Sequence, residues 1–338
     1  MKRVLCNLAV AISLLFGATS CYDDVVQDYT FSSAYFAQQQ PVRTVIAGRS
    51  GVAEANEMCV GAAVGGKLEV DLDDWARFAV DESTITAEMG MTFLEMGLEV
   101  MPEDYYELSD PNKMVITKVN NFIMEVDVSF TDKFFDDPDA VDAKYAIPFV
   151  LVDSSCDSLL ASKYYSVVAV KYQSKYHGTY YVQGYTAKRD GNEYVDITPY
   201  SNPDLSQNIT SATTTTGRNS ISRVGQTLTV GSTTLENGNV EITVPSEEEI
   251  AANEGGAVVN EDGSINVAVA AAVGDVSVVG GTGSGKMWYD EETHDCIFEI
   301  DYLVTASGVY FAVHETLTRR QDPLLDLRVE FWSTESEE

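Results

Sequence analysis

The chain has 338 residues, 45% of them hydrophobic, with 53 acidic against 21 basic side chains and a formal charge of −32. Such a surface repels nucleic acid and anionic lipid headgroups, which argues against both as partners. The hydrophobic fraction is ordinary for a globular protein, so the acidity does not signal disorder, and the length suits two domains.

The first residues carry a secretory pattern. Met1, Lys2 and Arg3 precede an apolar run from Val4 to Phe16, and the small residues Gly17 to Ser20 lead to Cys21. A basic start, a short apolar stretch and a small-residue cleavage region describe a signal peptide over residues 1–20. The run is shorter than the roughly 20 apolar residues a membrane-spanning helix needs. The stretch from Val267 to Val279 is also too short, and Gly274 and Asp275 interrupt it. Ala18-Thr19-Ser20-Cys21 fits a lipobox with Ala18 where Leu is usual. This predicts acylation of Cys21 after cleavage, a membrane partner reached through that lipid, and a tether over 21–30. Tyr22-Asp23-Asp24 resembles the surface-export signal of Bacteroidetes lipoproteins, so the outer face of the outer membrane is the expected location. Cleavage removes Lys2 and Arg3 and leaves 19 basic against 53 acidic residues, a charge of −34.

Strand patterns follow. Short candidates are Ala34 to Ala37, Thr44 to Ala47 and Cys59 to Val64. Phe122 to Phe130 alternates, with Phe122, Met124, Val126, Val128 and Phe130 facing a core. Tyr145 to Val152 is apolar on both faces and predicts burial between two layers, with Pro148 marking an edge or a bulge. Tyr164 to Tyr172 completes a first block, expected over 31–173. In a second block, over 174–338, Tyr180 to Tyr185 and Ile221 to Thr229 read as strands, and Gly231 to Thr243 as a hairpin turning at Asn237-Gly238. Met287 to Tyr289, Cys296 to Val304 and Val309 to Leu317 form a meander, and Arg328 to Trp332 a closing strand. Thr213 to Gly217 and Gly280 to Gly285 read as loops; Ser83 to Met91 and Glu247 to Asn253 are the two short helix candidates. The predicted class is all-β: a sandwich, then a small antiparallel barrel or second sandwich.

Tyr35-Phe36, Met101 to Leu108 and Tyr145 to Phe149 resemble stretches of a Bacteroidetes family of two-domain surface lipoproteins encoded with glycan-utilisation systems. Tyr35-Phe36, Gln39-Gln40-Pro41, Arg43-Thr44-Val45 and Gly65-Gly66 look like the start of its N-terminal domain. Met101-Pro102-Glu103-Asp104-Tyr105-Tyr106-Glu107-Leu108 looks like its central element, and Tyr145-Ala146-Ile147-Pro148-Phe149 like its late strand. The resemblance implies an immunoglobulin-like domain of unknown function, which also precedes the catalytic domain of some endo-β-N-acetylglucosaminidases. The block opening with Tyr176-His177-Gly178-Thr179-Tyr180-Tyr181 resembles a second domain of unknown function, and implies a lipocalin-like barrel. These motifs carry no catalytic residues.

Chemistry is sparse. Asp71, Asp73 and Asp74 before Trp75 are similar to the aspartate-rich strand of chitinase-like glycosidases, but Trp75 stands where those enzymes need a proton donor. A structural or solvated role is the better expectation, because acidic pairs arise by chance in so acidic a chain. Gly280 to Lys286 has the spacing of a phosphate-binding loop, but Met287 follows the lysine and a strand replaces the helix. Asp136, Asp137, Asp139 and Asp142 could offer oxygen ligands to calcium, although Pro138 and the absence of a suitable glycine favour a solvated loop. Cys59 and Cys156 either pair or remain, with Cys296, as buried thiols. No cofactor and no metal centre are expected. Aromatic side chains remain, because neutral sugars stack on aromatic rings. Trp288 and Tyr289, beside a turn, are the first candidates for binding glycan; Tyr181 and Tyr185 follow, with Tyr180, although alternate residues of that strand must face inward. The sequence thus predicts a non-enzymatic surface lipoprotein that binds glycan, with protein partners in a glycan-uptake complex. A structural or adhesive protein that binds a protein partner is the alternative.

Overall fold

The computed structural model describes residues 31–47, 56–118, 121–190, 193–199, 209–230, 233–253, 256–271, 277–278, 283–306, 309–320 and 330–332. The signal segment, Cys21 and the acidic pair after it lie outside these residues.

The first unit uses β1 (Ser33–Tyr35), β2 (Pro41–Ala47), β3 (Glu57–Gly65), β4 (Trp75–Val80), β5 (Glu99–Val100), β6 (Tyr106–Leu108), β7 (Lys113–Val115), β8 (Ile123–Phe130), β9 (Tyr145–Ser154), β10 (Ser158–Leu159) and β11 (Tyr165–Ser174). Pairing runs β10-β1-β3-β8-β7-β4-β9-β11-β2, and the β7–β4 pair joins two halves that face each other as a sandwich. Alternation decides what each strand contributes. Met124, Val126 and Val128 of β8 meet Ile147, Phe149 and Leu151 of β9 in the core. The opposite face of β9 and β11, through Ala146, Val150, Val167 and Ala169, is buried as well. Helix α1 (Glu82–Met89) and the segment with Phe93, Met96 and Leu98 cover it. Double burial from Tyr145 to Leu151 is why this run lacks polar alternation, and Val152 beyond it is exposed. Asp81 caps α1 by accepting from Ser83 and Thr84 backbone N–H groups, and Gly90 ends it in the left-handed region.

Pro148 corrects one expectation. It lies in a central strand, with β11 on one side and β4 on the other, rather than at an edge. Its carbonyl accepts from Asp81 N at 3.0 Å, so its nitrogen points to the side where β4 has already ended at Val80. The missing donor thus falls where no strand needs it.

The second unit uses β12 (Thr179–Asp190), β13 (Glu193–Pro199), β14 (Ile209–Gly217), β15 (Ser220–Val230), β16 (Thr233–Thr243), β17 (Ile265–Ala271), β18 (Ser277–Val278), β19 (Gly283–Tyr289), β20 (Cys296–Ala306) and β21 (Val309–Arg319). Because β21 pairs with both β20 and β12, the order β12-β14-β15-β16-β17-β19-β20-β21 closes into an eight-stranded antiparallel barrel. Tyr180, Val182, Ile242, Val269, Met287, Phe298, Ile300 and Leu317 fill its interior at the end nearer the sandwich. The all-β class, sandwich then barrel, is as the alternation predicts.

Four local expectations fail for physical reasons. Asn237-Gly238 is not a turn: it lies inside β16, where the register with β15 shifts around Gln226 and Gly238. Thr213 to Gly217 is the end of β14, and Gly283 to Gly285 is the start of β19. Threonine is β-branched, and pairing of this stretch with β15 outweighs its loop-like polarity. The predicted closing strand of the barrel instead returns to the sandwich: β22 (Glu330–Phe331) pairs with β2, and Trp332 Nε1 donates to the Val167 carbonyl at 2.9 Å.

The acidic elements are structural. Asp74 is buried, accepts from Lys67 Nζ at 2.7 Å and Ser155 Oγ at 2.8 Å, and closes a turn by accepting from Asp71 N at 3.0 Å. Asp137 accepts from Tyr105 Oη at 2.9 Å and Tyr145 Oη at 2.6 Å, while Asp139 pairs with Lys144. Among the described residues no group of three or more His, Cys, Asp or Glu side chains is placed to hold a metal ion. Cys59, Cys156 and Cys296 carry free thiols.

Candidate functional site

Four neighbouring barrel strands, β12, β21, β20 and β19, present an outer face opposite the interior just described. Side chains directly opposite one another in antiparallel strands share a face. Tyr180, Val182 and Thr186 of β12 point inward and are buried, so Tyr181 and Tyr185 point outward. Tyr185 stands opposite His314, His314 opposite Asp301, and Asp301 opposite Ser284. This places one row of four polar and aromatic side chains across four strands.

The row is ordered by its own contacts. The Tyr185 and His314 rings stack with centroids 5.2 Å apart and an angle of 29°. His314 Nδ1 lies 2.8 Å from Asp301 Oδ1, which fixes the imidazole plane. Strand β13 runs along the outer half of β12 and adds Tyr194 and Ile197, 53% and 62% exposed. Together these residues line a cleft of about 440 Å³. It offers an aromatic wall, an apolar patch and hydrogen-bonding groups on one floor. That combination suits an uncharged, hydroxyl-bearing ligand.

Gly184 makes the strands fit. An added Cβ would sit 2.1 Å from the His314 carbonyl oxygen, in the β12–β21 seam. Gly184→Ala is therefore expected to lower the barrel's stability by about 1–3 kcal/mol, the usual range for overpacking. Urea unfolding checks this, and an unchanged midpoint would show that the seam yields.

The sequence candidates fall into two groups. Tyr185 lines the cleft. Tyr181 and Trp288 point outward from the same wall in a lower row, through Tyr181–Thr318, Thr318–Ile297 and Ile297–Trp288 pairs. Lys286 Nζ lies 5.5 Å from the Trp288 ring centroid. Tyr289 is exposed at the end of β19, beside Trp288 and away from the cleft, whereas Tyr180 is inside the barrel. Tyr194, Ile197, His314 and Asp301 were missed. His314 sits at an outward position of an alternating strand, but only register joins it to Tyr185.

Fold and site define an all-β protein in which an N-terminal sandwich carries a closed barrel with a polar, aromatic outer face. Residues 28–157 match the family model of an N-terminal domain, and the stretches around Tyr35, Met101 to Leu108 and Tyr145 to Phe149 lie within that match. A structural-genomics protein of unknown function from Bacteroides ovatus has the same overall fold, with TM-score 0.67 and 20% identity over 89% of this chain and 98% of that one. A second Bacteroides ovatus protein of unknown function is matched with TM-score 0.40 and 14% identity over 89% of this chain and 100% of that one. An auxiliary nutrient binding protein from Bacteroides thetaiotaomicron is matched with TM-score 0.33 and 15% identity over 86% of this chain and 95% of that one. No curated protein matches the chain significantly. The family match thus lies within the N-terminal part of the chain, and the fold shared with the first Bacteroides ovatus protein extends over 89% of it.

Proposed function

We propose that this protein is a non-catalytic surface lipoprotein that captures glycan on the outer wall of its barrel. The observation that carries the proposal is the cleft in which Tyr185 stacks on His314 and His314 is held by Asp301, beside exposed Tyr194 and Ile197. A sugar's apolar face can lie on a tyrosine ring while carboxylate, imidazole and hydroxyl groups take its hydroxyls. The lipobox at Cys21 supplies the anchor, and the charge of the chain keeps it off anionic surfaces.

A mucin and plant-polysaccharide array tests the proposal. Soluble protein from Tyr22 onward is expected to bind at least one neutral glycan, and Tyr185→Ala to weaken that binding at least tenfold. Tenfold corresponds to about 1.4 kcal/mol, within the range of one stacked ring. Silence of the folded protein across the array would overturn it. Loss of lipid labelling in Cys21→Ser tests the anchor separately. A protein-binding role is the second reading, favoured by the side chains of Tyr194 and Ile197 exposed on β13, which pairs with β12. It predicts capture of a surface protein partner that Ile197→Asp abolishes.

A further inference from the structure

We infer that the Tyr185 cleft is one end of a longer groove, and that its ligand is an extended, uncharged oligosaccharide chain bound across the barrel wall rather than a single terminal sugar. This rests on the glycan reading above. The cleft shares Ser284 and Asp301 with a second depression of about 600 Å³ floored by Asn266, Lys286 and Glu299. That depression shares Asp262 and Lys286 with a third, of about 620 Å³, which ends at Trp288 and Tyr289. Three concavities that share walls make one path.

Strand geometry gives its length. From Tyr185 on β12 to Ser284 on β19 the path crosses three strand spacings, roughly 14 Å. From Ser284 to Trp288 it follows β19 for four residues, roughly 13 Å. One sugar ring covers only a fraction of this distance. The chemistry repeats along it: an aromatic group stands at each end and polar side chains lie between.

The middle is pre-organised. Asn260 Nδ2 donates to Asn266 Oδ1 at 2.8 Å and to Ser264 Oγ at 3.0 Å, and Asn266 Nδ2 donates to the Ala257 carbonyl at 2.8 Å. Asp262 accepts from Ser264 N at 3.0 Å and Oγ at 2.6 Å, which fixes the rim loop. Polar groups held before binding lose little entropy when a ligand arrives. Charge sets the class of chain. Glu261, Asp262, Glu299, Asp301, Glu291 and Glu292 line the second and third depressions, and Lys286 is the one lysine or arginine among their described lining residues. A uronate-bearing or sulfated chain would meet repulsion along most of the path.

Calorimetry with manno-, xylo- and cello-oligosaccharides of two and six residues tests the inference. In the series that binds, the six-residue chain is expected to bind at least tenfold tighter than the two-residue chain. Trp288→Ala should remove that gain, and an unchanged urea-unfolding midpoint shows that the variant is folded. Tyr185→Ala should weaken both lengths. A six-residue polygalacturonate should bind at least tenfold more weakly than the neutral chain. Equal affinity at both lengths, or a six-residue affinity untouched by Trp288→Ala, would overturn the groove and leave the Tyr185 cleft standing. Polygalacturonate binding as tightly as the neutral chain would overturn the choice of an uncharged ligand. No binding in any series, with array binding also absent, would overturn the glycan reading itself.

Discussion

Glu315→Ala is expected to destabilise the barrel by about 3–5 kcal/mol, the cost of stripping one partner from a buried ion pair. Glu315 and Arg223 are both fully buried inside the barrel, and Arg223 Nη1 donates to Glu315 Oε2. The Tyr302 hydroxyl bridges them, accepting from Arg223 Nη1 at 3.0 Å and donating to Glu315 Oε2 at 3.3 Å. Burial, with the Glu315 carboxylate next in importance, raises the Tyr302 pKa, so the phenol stays protonated and available as a donor. Removing the carboxylate takes from a guanidinium in the barrel interior the counter-charge that Glu315 supplies. Urea unfolding followed by fluorescence measures the effect, and an intact midpoint would mean that water reaches Arg223. Replacing the pair together, as Arg223→Met with Glu315→Leu, is expected to recover most of the loss, because well-packed apolar groups substitute for buried ion pairs at little cost. A double variant as unstable as Glu315→Ala would instead tie the barrel to the charges themselves.

Asp74→Ala is expected to cost the sandwich about 3 kcal/mol near neutral pH, because the carboxylate accepts hydrogen bonds from an ammonium, a hydroxyl and a backbone N–H. The loss is smaller than at Glu315 because Lys67 keeps 24% of its side-chain exposure and water can replace its partner. Burial alone would raise the Asp74 pKa, but the hydrogen bonds from Lys67, Ser155 and Asp71 outweigh it and hold the carboxyl below the usual range. The sign of the pH effect follows. A depressed folded pKa contributes stability that is complete above the unfolded value of about 3.9 and is lost as pH falls through the folded value. The gap between the parent and Asp74→Ala should therefore be widest near neutrality and shrink below about pH 4. Denaturant titrations at several pH values measure that gap. A gap independent of pH would assign Asp74 a packing role only.

The two residues also show how much of the molecule was legible in its sequence. Asp74 sits in an acidic run that could be weighed as catalytic, solvated or structural, but of the partners that decide the matter Ser155 comes from a distant part of the chain, and nothing local marks Lys67 as the other. Arg223 gave no signal at all, since a charged residue in an alternating stretch reads as outward until the strand's inner parity is known. The aromatic candidates behaved similarly. Period-two alternation divided Tyr180 from Tyr181 and Tyr185, yet it could not say that His314 and Asp301 stand beside Tyr185, because register is set between strands.

The sequence by itself determined the all-β class, the doubly buried run that begins at Tyr145, the meander from Met287 to Leu317 and the alternation that sets Tyr180 on one face and Tyr181 and Tyr185 on the other. These follow from local alternation and from burial, which each strand writes into its own residues. Tertiary structure alone decided that Pro148 lies in a central strand, that Asn237-Gly238 is paired rather than turned, that Glu330 and Phe331 return to the sandwich, and that Ser284, Asp301, His314 and Tyr185 form one row. Each of these depends on which distant strand lies alongside. Strand pairing within the sandwich and closure of the barrel fix that choice, and no single stretch of chain contains it.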